Sequence, residues 1–264
     1  MSEFYLLGNS SASQMFGCVF KTETKTIVID GGTIYDCDQM ITFLKENANS
    51  CVDAWFFTHP HHDHIGCFVK LRSLQSDIKI KKVYHCFPSK DLLIKNGMRA
   101  SGESELWDDI DKWNATILSV GDSFVFDDIT VRVLRTFNPD IIANFVNNSS
   151  AVYRIENKNK SFLILGDLGV EGGNEVIENV PIKLLQTYYT QMAHHGQNGV
   201  NKSFYEYIKP KACIWPTPDW LWNNDGGGGF NTGHFKTLDT RKWVEELGVT
   251  EHFIEKDGTQ KIFF

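Results

Sequence analysis

The residues best suited to chemistry stand together in one short stretch, residues 58–64, which reads Thr-His-Pro-His-His-Asp-His. Four histidines and one aspartate occupy six consecutive positions there. An apolar run at residues 53–57 precedes this stretch, and Gly66 and a helix-like pattern follow it. The side chains are therefore expected on a turn that follows a buried strand. A polar loop with chance histidines is the weaker interpretation, because the chain has only nine histidines in 264 residues.

This stretch has the side chains of a metal site. Alternate residues of an extended turn point the same way, so His59 and His61 can share one metal ion. Asp63 and His64 lie beyond the bend and can reach a second ion. Neutral imidazole and carboxylate groups are ligands that suit zinc, iron or manganese.

More candidate ligands follow predicted strands in the second half of the chain. Asp167 comes after a strand at 161–165, where it can be a turn cap or a carboxylate that bridges two cations. His194 and His195 come after a predicted strand at 183–191. Together with the first stretch, they predict two metals about 3.5–4 Å apart that share Asp167 and a hydroxide. Such a hydroxide forms near neutral pH and attacks a carbonyl carbon or a phosphorus.

The elements that must position these residues are short strands and helices along one domain, residues 1–264. Because each ligand cluster follows a strand, all of them are expected at one edge of the sheets. Four consecutive glycines at 226–229 are interpreted as a loop, since the tail beyond them is too small for a domain. Residues 90–114 have a helical pattern and could form a lid or a solvated helix pair. The other predicted strands are 4–7, 17–20, 26–30, 53–57, 82–87, 115–137, 151–155, 211–216, 250–255 and 260–264, and the other helices are 36–49, 65–75, 173–179, 203–208 and 238–247.

Composition and charge limit the classes of function. The formal net charge of −7 argues against a broad surface that neutralises phosphates, although a local patch or the metals could still bind phosphate. No stretch reaches the ~18 apolar residues of a membrane span, and the N-terminus lacks a signal peptide pattern. The six cysteines form no CxxC pair, which favours free thiols and a cytoplasmic location.

The stretch at 58–64 matches the signature of the metallo-β-lactamase superfamily, and the chain resembles that family over nearly its whole length. Asp30-Gly31-Gly32 and Gly166-Asp167 fall where the family has its first motif and its bridging aspartate. The resemblance implies an α/β (α+β) fold, a four-layer αββα sandwich of two mixed sheets with the metals at one edge. The later half looks closest to the metallo-hydrolase domain of DNA-uptake competence proteins and to bacterial phosphorylcholine esterases. The residues that carry this second likeness are Asn147-Asn148-Ser149-Ser150, Leu165-Gly166-Asp167, His194-His195-Gly196, Asn231-Thr232-Gly233-His234 and Asp257-Gly258.

The resemblance implies a ligand set for each ion. Many relatives supply a third histidine to the first metal, but this chain has none between His85 and His194. The first site would then have two histidines, the bridging aspartate and water, or it would be completed by Asn147, Asn148 or another group. The second site would have Asp63, His64, Asp167 and one of the paired histidines. Of that pair, His194 is preferred as the ligand and His195 as a neighbour that contacts substrate.

Other residues are given roles by the same comparison. Asp63, His195 and His234 are the candidates for catalysis, and His234 is equally a loop histidine or a substrate-side acid. Asp30 is either a turn cap or a carboxylate that orients a ligand histidine.

The chemistry predicts a hydrolase with two divalent metal ions, zinc first and manganese or iron as alternatives. Phosphoester or phosphodiester bonds are the expected target, and the net charge disfavours nucleic acid over a small-molecule substrate. The alternatives are hydrolysis of a lactone, thioester or β-lactam, and a non-catalytic binding domain with a vestigial site. Four tryptophans could line a pocket for a quaternary ammonium group, or simply pack around the glycine loop; they are Trp215, Trp220, Trp222 and Trp243.

Overall fold

Two seven-stranded sheets form the framework of the protein, in a computed structural model that describes residues 1–74, 76–98 and 110–264. The strands are β1 (Glu3–Leu6), β2 (Gly17–Lys21), β3 (Thr26–Asp30), β4 (Cys51–Val52), β5 (Ala54–Phe56), β6 (Lys79–Ile80), β7 (Val83–His85), β8 (Thr116–Ile117), β9 (Ser123–Phe126), β10 (Ile129–Arg135), β11 (Val152–Glu156), β12 (Ser161–Ile164), β13 (Tyr189–Gln191), β14 (Ala212–Trp215), β15 (Glu251–Ile254) and β16 (Gln260–Phe263). The helices are α1 (Cys37–Ala48), α2 (His62–Ser73), α3 (Lys90–Lys95), α4 (Phe145–Asn148), α5 (Val170–Asn179), α6 (Ile182–Leu185), α7 (Lys202–Ile208), α8 (Asp219–Trp222) and α9 (Thr237–Glu246).

The strand order places parallel strands next to one another in both sheets. The first sheet runs β16-β1-β2-β3-β5-β7-β8, and β3, β5, β7 and β8 are parallel. The second runs β15-β14-β13-β12-β11-β10-β9, and its first four strands are parallel. Since parallel strands end at the same edge, the loops after them meet there. A small sheet of β4 and β6 lies apart from these two.

The two sheets pack face to face over one apolar core. Alternate residues of each strand point inward, so Phe4 and Phe20 of the first sheet meet Phe162 of the second, with ring centroids 4.9 and 5.0 Å apart. Residues on the opposite strand faces join separate clusters beneath helices on either side. Four layers result, with helices outside two sheets. The αββα sandwich expected from the sequence is confirmed.

Local differences from the predicted elements have simple causes. Residues 182–185 form a helical turn after Pro181 instead of the start of a strand, so β13 is only three residues long. Of the predicted lid at 90–114, residues 99–109 lie outside the described residues, and α3 forms its described beginning. Trp113, at its end, packs its ring 4.7 Å from Phe68 in the cluster under the helices. Within the described ranges, no helix is long and apolar enough to cross a membrane.

Candidate metal centre

The turn after β5 presents the first pair of histidines. His59 is fully buried, and its Nε2 lies 2.9 Å from Nδ1 of His61 and 3.7 Å from Oδ2 of Asp167. These three side chains offer ligand atoms within 4.8 Å of one another, close enough to hold one ion. Burial, together with the charge of His64, holds the pKa of His59 well below its ordinary value. A neutral imidazole, which is the form that binds metals, is therefore favoured here.

Helix α2 begins at His62, so its first turn carries Asp63 and His64 into the same edge. Nδ1 of His64 lies 2.7 Å from Oδ2 of Asp30, which leaves Nε2 facing Oδ1 of Asp167 at 3.2 Å. Asp30 ends β3 in the left-handed conformation (φ 53°), and its Oδ1 accepts a hydrogen bond from the backbone N–H of Thr58. The structure thus places Asp30 where a carboxylate that orients a histidine belongs.

Two parallel strands of the second sheet deliver the remaining groups. Asp167 follows β12, and His194 and His195 follow β13 in consecutive left-handed conformations, with φ 52° and 54°. Nε2 of His195 lies 3.3 Å from Oδ2 of Asp63 and 3.4 Å from Oδ2 of Asp167. Its other nitrogen, Nδ1, lies 2.9 Å from the carbonyl oxygen of Pro216.

The paired histidines occupy different places. His195 belongs to the four-residue group of possible ligands, together with Asp63, His64 and Asp167. His194 lies outside both groups found among the described residues, although its Nε2 is 3.7 Å from Oδ2 of Asp167. This geometry is the reverse of the sequence-based preference for His194. The two rings lie apart, with centroids 6.2 Å from each other, and the backbone is left-handed at both residues.

The carboxylates and imidazoles of this group strongly shift one another's pKa values. Burial lowers the pKa of His64, but the charges of Asp167 and Asp30 outweigh burial and raise that pKa to about 10. Burial raises the pKa of Asp63, but the neighbouring imidazoles of His195 and His64 hold that pKa well below its usual range. Protonated imidazole thus balances the buried carboxylates when no cation is bound, and metal binding would release these protons.

The donor set fits divalent cations. Several buried atoms in it have no hydrogen-bond partner, namely Nε2 of His64, Nε2 of His195 and both oxygens of Asp167. Buried polar atoms are normally paired, because leaving one unpaired costs about 1–3 kcal/mol. Donor atoms about 2.0–2.2 Å from a tetrahedral zinc lie about 3.4 Å from each other. The observed separations of 3.2–3.4 Å in this group match that spacing.

Comparison with known proteins agrees with this geometry. A sequence model described as "Metallo-beta-lactamase superfamily" matches residues 18–247. The chain belongs to this superfamily. The superfamily consists mostly of metal-dependent hydrolases, so a candidate metal cluster is consistent with membership of this family.

Individual relatives within or near the superfamily share the fold at low identity. ComE operon protein 3 from Bacillus subtilis (strain 168) is 28% identical over 179 residues, which is 66% of this chain and 21% of that protein. The chain thus spans about a fifth of that relative's length. CmlA, a diiron beta-hydroxylase from Streptomyces venezuelae, has a TM-score of 0.61 at 11% identity, over 100% of this chain and 54% of its own. A diphosphatase from the PhnP family has a TM-score of 0.56 at 12% identity, over 100% and 98%.

The two asparagines singled out in the sequence differ in what they bind. Oδ1 of Asn148 accepts hydrogen bonds from the backbone N–H groups of Gly169 and Gly172, so this side chain stabilises the start of α5. Its amide nitrogen donates to the carbonyl oxygen of Ala143. Asn147 is buried, its nitrogen donates to Asn144, and its Oδ1 has no partner. Of these two asparagines, Asn147 is therefore the one whose side-chain oxygen is available to bind a cation.

Other predicted site residues are not members of either ligand group. His234 is exposed and packs on Phe235, with ring centroids 4.3 Å apart. No contact found among the described residues joins its side chain to either ligand group. Trp215 is fully buried, and Trp222 and Trp243 pack against the cluster around it. Packing is therefore the observed role of these three tryptophans.

Several residues that support the site were missed in the sequence. Oγ of Ser150 accepts a hydrogen bond from the N–H of Asp167, and Gln191 Nε2 donates to the carbonyl oxygen of Gly166. Nε2 of Gln14 donates to Oδ2 of Asp63. Gln14 and Gln191 belong to no recognisable motif, and although Ser150 lies in the stretch 147–150 noted above, its contact with Asp167 is evident only in the folded chain.

Proposed function

We propose that the protein is a hydrolase that uses two divalent cations to cleave phosphoester or phosphodiester bonds. The observation that carries this proposal is the place of Asp167, which belongs to both groups of candidate ligands. Its Oδ1 lies 3.2 Å from Nε2 of His64, and its Oδ2 lies 3.7 Å from Nε2 of His59. A carboxylate shared in this way is suited to bridging two cations.

For the second ion we assign Asp63, His64, Asp167 and His195 as ligands. His195 takes this role in place of His194, because its nitrogen lies among the other donor atoms. His194 has a partly exposed side chain beside Asp167, which suits contact with a substrate.

For the first ion we assign His59, His61 and Asp167, with Asn147 as the fourth group. The unpartnered oxygen of Asn147 supports this choice, and the two hydrogen bonds accepted by Asn148 argue against that neighbour. A site with this share of oxygen donors suits manganese or iron as well as zinc. His234 remains the candidate acid on the substrate side of the exposed loop.

Three features of the proposed centre suit an anionic substrate. Two bound cations would lower the pKa of a water to about 7 and neutralise charge on the phosphoryl oxygens. Asp30 fixes the ring of His64, so no reorientation of that ring is needed. Helix α2 begins at His62, so the positive end of its dipole lies at the edge of the sheets that carries the candidate ligands. The likeness in fold to a diphosphatase of the PhnP family supports a phosphate substrate.

The decisive experiment measures metal content and substrate class together. Protein loaded with zinc or manganese is expected to hydrolyse bis-p-nitrophenyl phosphate or p-nitrophenylphosphorylcholine, and to lose that activity with a chelator. Single-stranded DNA tests the nucleic-acid alternative. Turnover of nitrocefin alone would overturn the phosphoesterase proposal.

Variants complete this test. Asp167→Asn and His61→Ala are expected to abolish activity and to lower the metal content, because each removes a donor from a ligand group. Asp140→Asn is the matched control, since this exposed carboxylate lies outside both groups. A folded wild-type protein that binds no divalent ion would favour a vestigial site.

A further inference from the structure

A pair of glutamine side chains connects the two halves of the candidate metal centre. Nε2 of Gln14, in the loop between β1 and β2, lies 2.9 Å from Oδ2 of Asp63. Oε1 of Gln14 accepts a hydrogen bond of 2.9 Å from Nε2 of Gln197. Gln197 comes two residues after His195, so the amides join the first ligand stretch to the second histidine turn.

The direction of these two hydrogen bonds is determined by the carboxylate of Asp63, which accepts the one from Gln14. An ionised carboxylate can only accept hydrogen bonds, so Gln14 must turn its nitrogen towards Asp63. Its oxygen then faces Gln197, which must present its own nitrogen in turn. Asp63 is assigned above as a metal ligand, and a carboxylate that binds a cation is deprotonated. All the donors therefore point towards Asp63.

The loop that carries Gln14 is held in place by its backbone. The N–H of Phe16 donates to the backbone carbonyl oxygen of Asp63, and the oxygen of Phe16 accepts from the N–H groups of Gly31 and Gly32. Nε1 of Trp220 donates to the carbonyl oxygen of Ala12 near the loop tip. The loop therefore contacts both the main chain and the side chain of Asp63.

Resting on the proposed function, we propose that Gln14 is a positioning residue for the Asp63 side of the metal centre, with Gln197 acting through it. The oxygen that Gln14 contacts is the same one that lies 3.3 Å from Nε2 of His195. A carboxylate oxygen has two lone pairs, so one binds the Gln14 amide and the other remains for the cation. Partners of ligand groups of this kind typically change metal affinity 10–100-fold when removed.

The test is a double-mutant cycle read out by metal affinity. Gln14→Met keeps the side-chain length and removes both hydrogen bonds. It is expected to raise the Kd of one of the two zinc ions by about 10–100-fold in a chelator competition. The Kd of the other ion should change by less than about twofold. Gln197→Met is expected to have a smaller effect on the same ion, and no effect when Gln14 is already Met. The visible absorption of Co²⁺ bound at the affected site is expected to change in Gln14→Met.

Controls separate positioning from a general loss of structure. Ser11→Ala alters the same loop, where its hydroxyl accepts from the N–H of Ser13, and should retain wild-type affinity and the wild-type Co²⁺ spectrum. Circular dichroism and urea unfolding of the metal-free variants verify folding. Wild-type affinity in Gln14→Met, equal weakening of both ions, or independent effects of the two glutamines would overturn the positioning role alone. A wild-type protein that binds no metal would overturn the proposed function as well.

Discussion

His85 shows how one buried side chain can make stability depend on pH. It ends β7 and is 6% exposed, and its Nδ1 accepts a hydrogen bond of 3.1 Å from the N–H of Phe87. Its ring also stacks on that of Phe87, with centroids 4.5 Å apart. Burial lowers the pKa of His85 to about 4. The folded protein therefore holds this histidine neutral, because protonation would destroy an accepted hydrogen bond.

The metal-free protein is expected to lose stability in acid through His85. An unfolded histidine titrates near pH 6.5, so between about pH 6.5 and 4 the unfolded chain binds a proton that the folded chain does not. Stability therefore falls as the pH falls through this window, by about 2 kcal/mol between pH 7 and pH 5. His85→Asn should remove this part of the pH dependence of the free energy of unfolding, measured in urea. If that free energy depends on pH equally in both proteins, His85 is not its source.

At the scale of elements, α4 assigns different tasks to adjacent asparagines. Asn148 pairs the first N–H groups of α5, while Asn147 keeps a buried oxygen unpaired. A side chain that satisfies buried helix N–H groups contributes about 1–2 kcal/mol of stability. One turn of helix thus combines a structural contact with a candidate ligand.

Asn147→Ala and Asn148→Ala are expected to affect different properties, metal affinity and stability respectively. Asn148→Ala should lower the free energy of unfolding of the metal-free protein by about 1–2 kcal/mol, because N–H groups of α5 lose their partner. Asn147→Ala should change that energy less and should weaken one metal ion by at least about tenfold. Chemical denaturation and chelator competition measure the two quantities. Full affinity for both ions in Asn147→Ala would exclude this side chain as a ligand.

The candidate site was easier to predict from sequence where its residues are contiguous. The turn at 58–64 carries its spacing in one stretch, so a metal site could be inferred from it directly. The choice between His194 and His195 could not be inferred, because the two are adjacent in sequence and only the folded chain shows which ring lies among the other donor atoms. Gln14 gave no signal either, since its contact with Asp63 exists only after the loop folds back.

At the scale of the molecule, the fold was predictable because strand alternation and the family signature agree. Elements without strong alternation were the exception, and Ile182–Leu185 became helical where a strand was predicted. The first sheet includes the last strand of the chain, since β16 pairs with β1 and contributes Ile262 to the central core. Residues from both halves of the chain therefore share one core, and the single domain stays a prediction for an unfolding experiment.

The metal-free protein is accordingly expected to unfold in a single transition that divalent ions shift upwards. Binding to the folded state alone adds about 2.7 kcal/mol when the free ion is at 100 times its Kd. A scan of Tm against zinc and manganese concentration, with a chelator as reference, measures this shift. The Asp167→Asn protein should show little of it, because that change removes a donor from both ligand groups. Two separate transitions would contradict the single domain.

The pairing of β16 with β1 has a consequence for the newly made chain on the ribosome. Strand β1 and the histidines at 58–64 are made before Asp167 and His195, and β16 is made after all of them. An ion that reaches the nascent chain early meets only half of its ligands, beside a sheet edge that is still unpaired. Unpaired strand edges invite association with other chains. Association between partly made chains through the free edge of β1 is therefore expected until β16 has been synthesised.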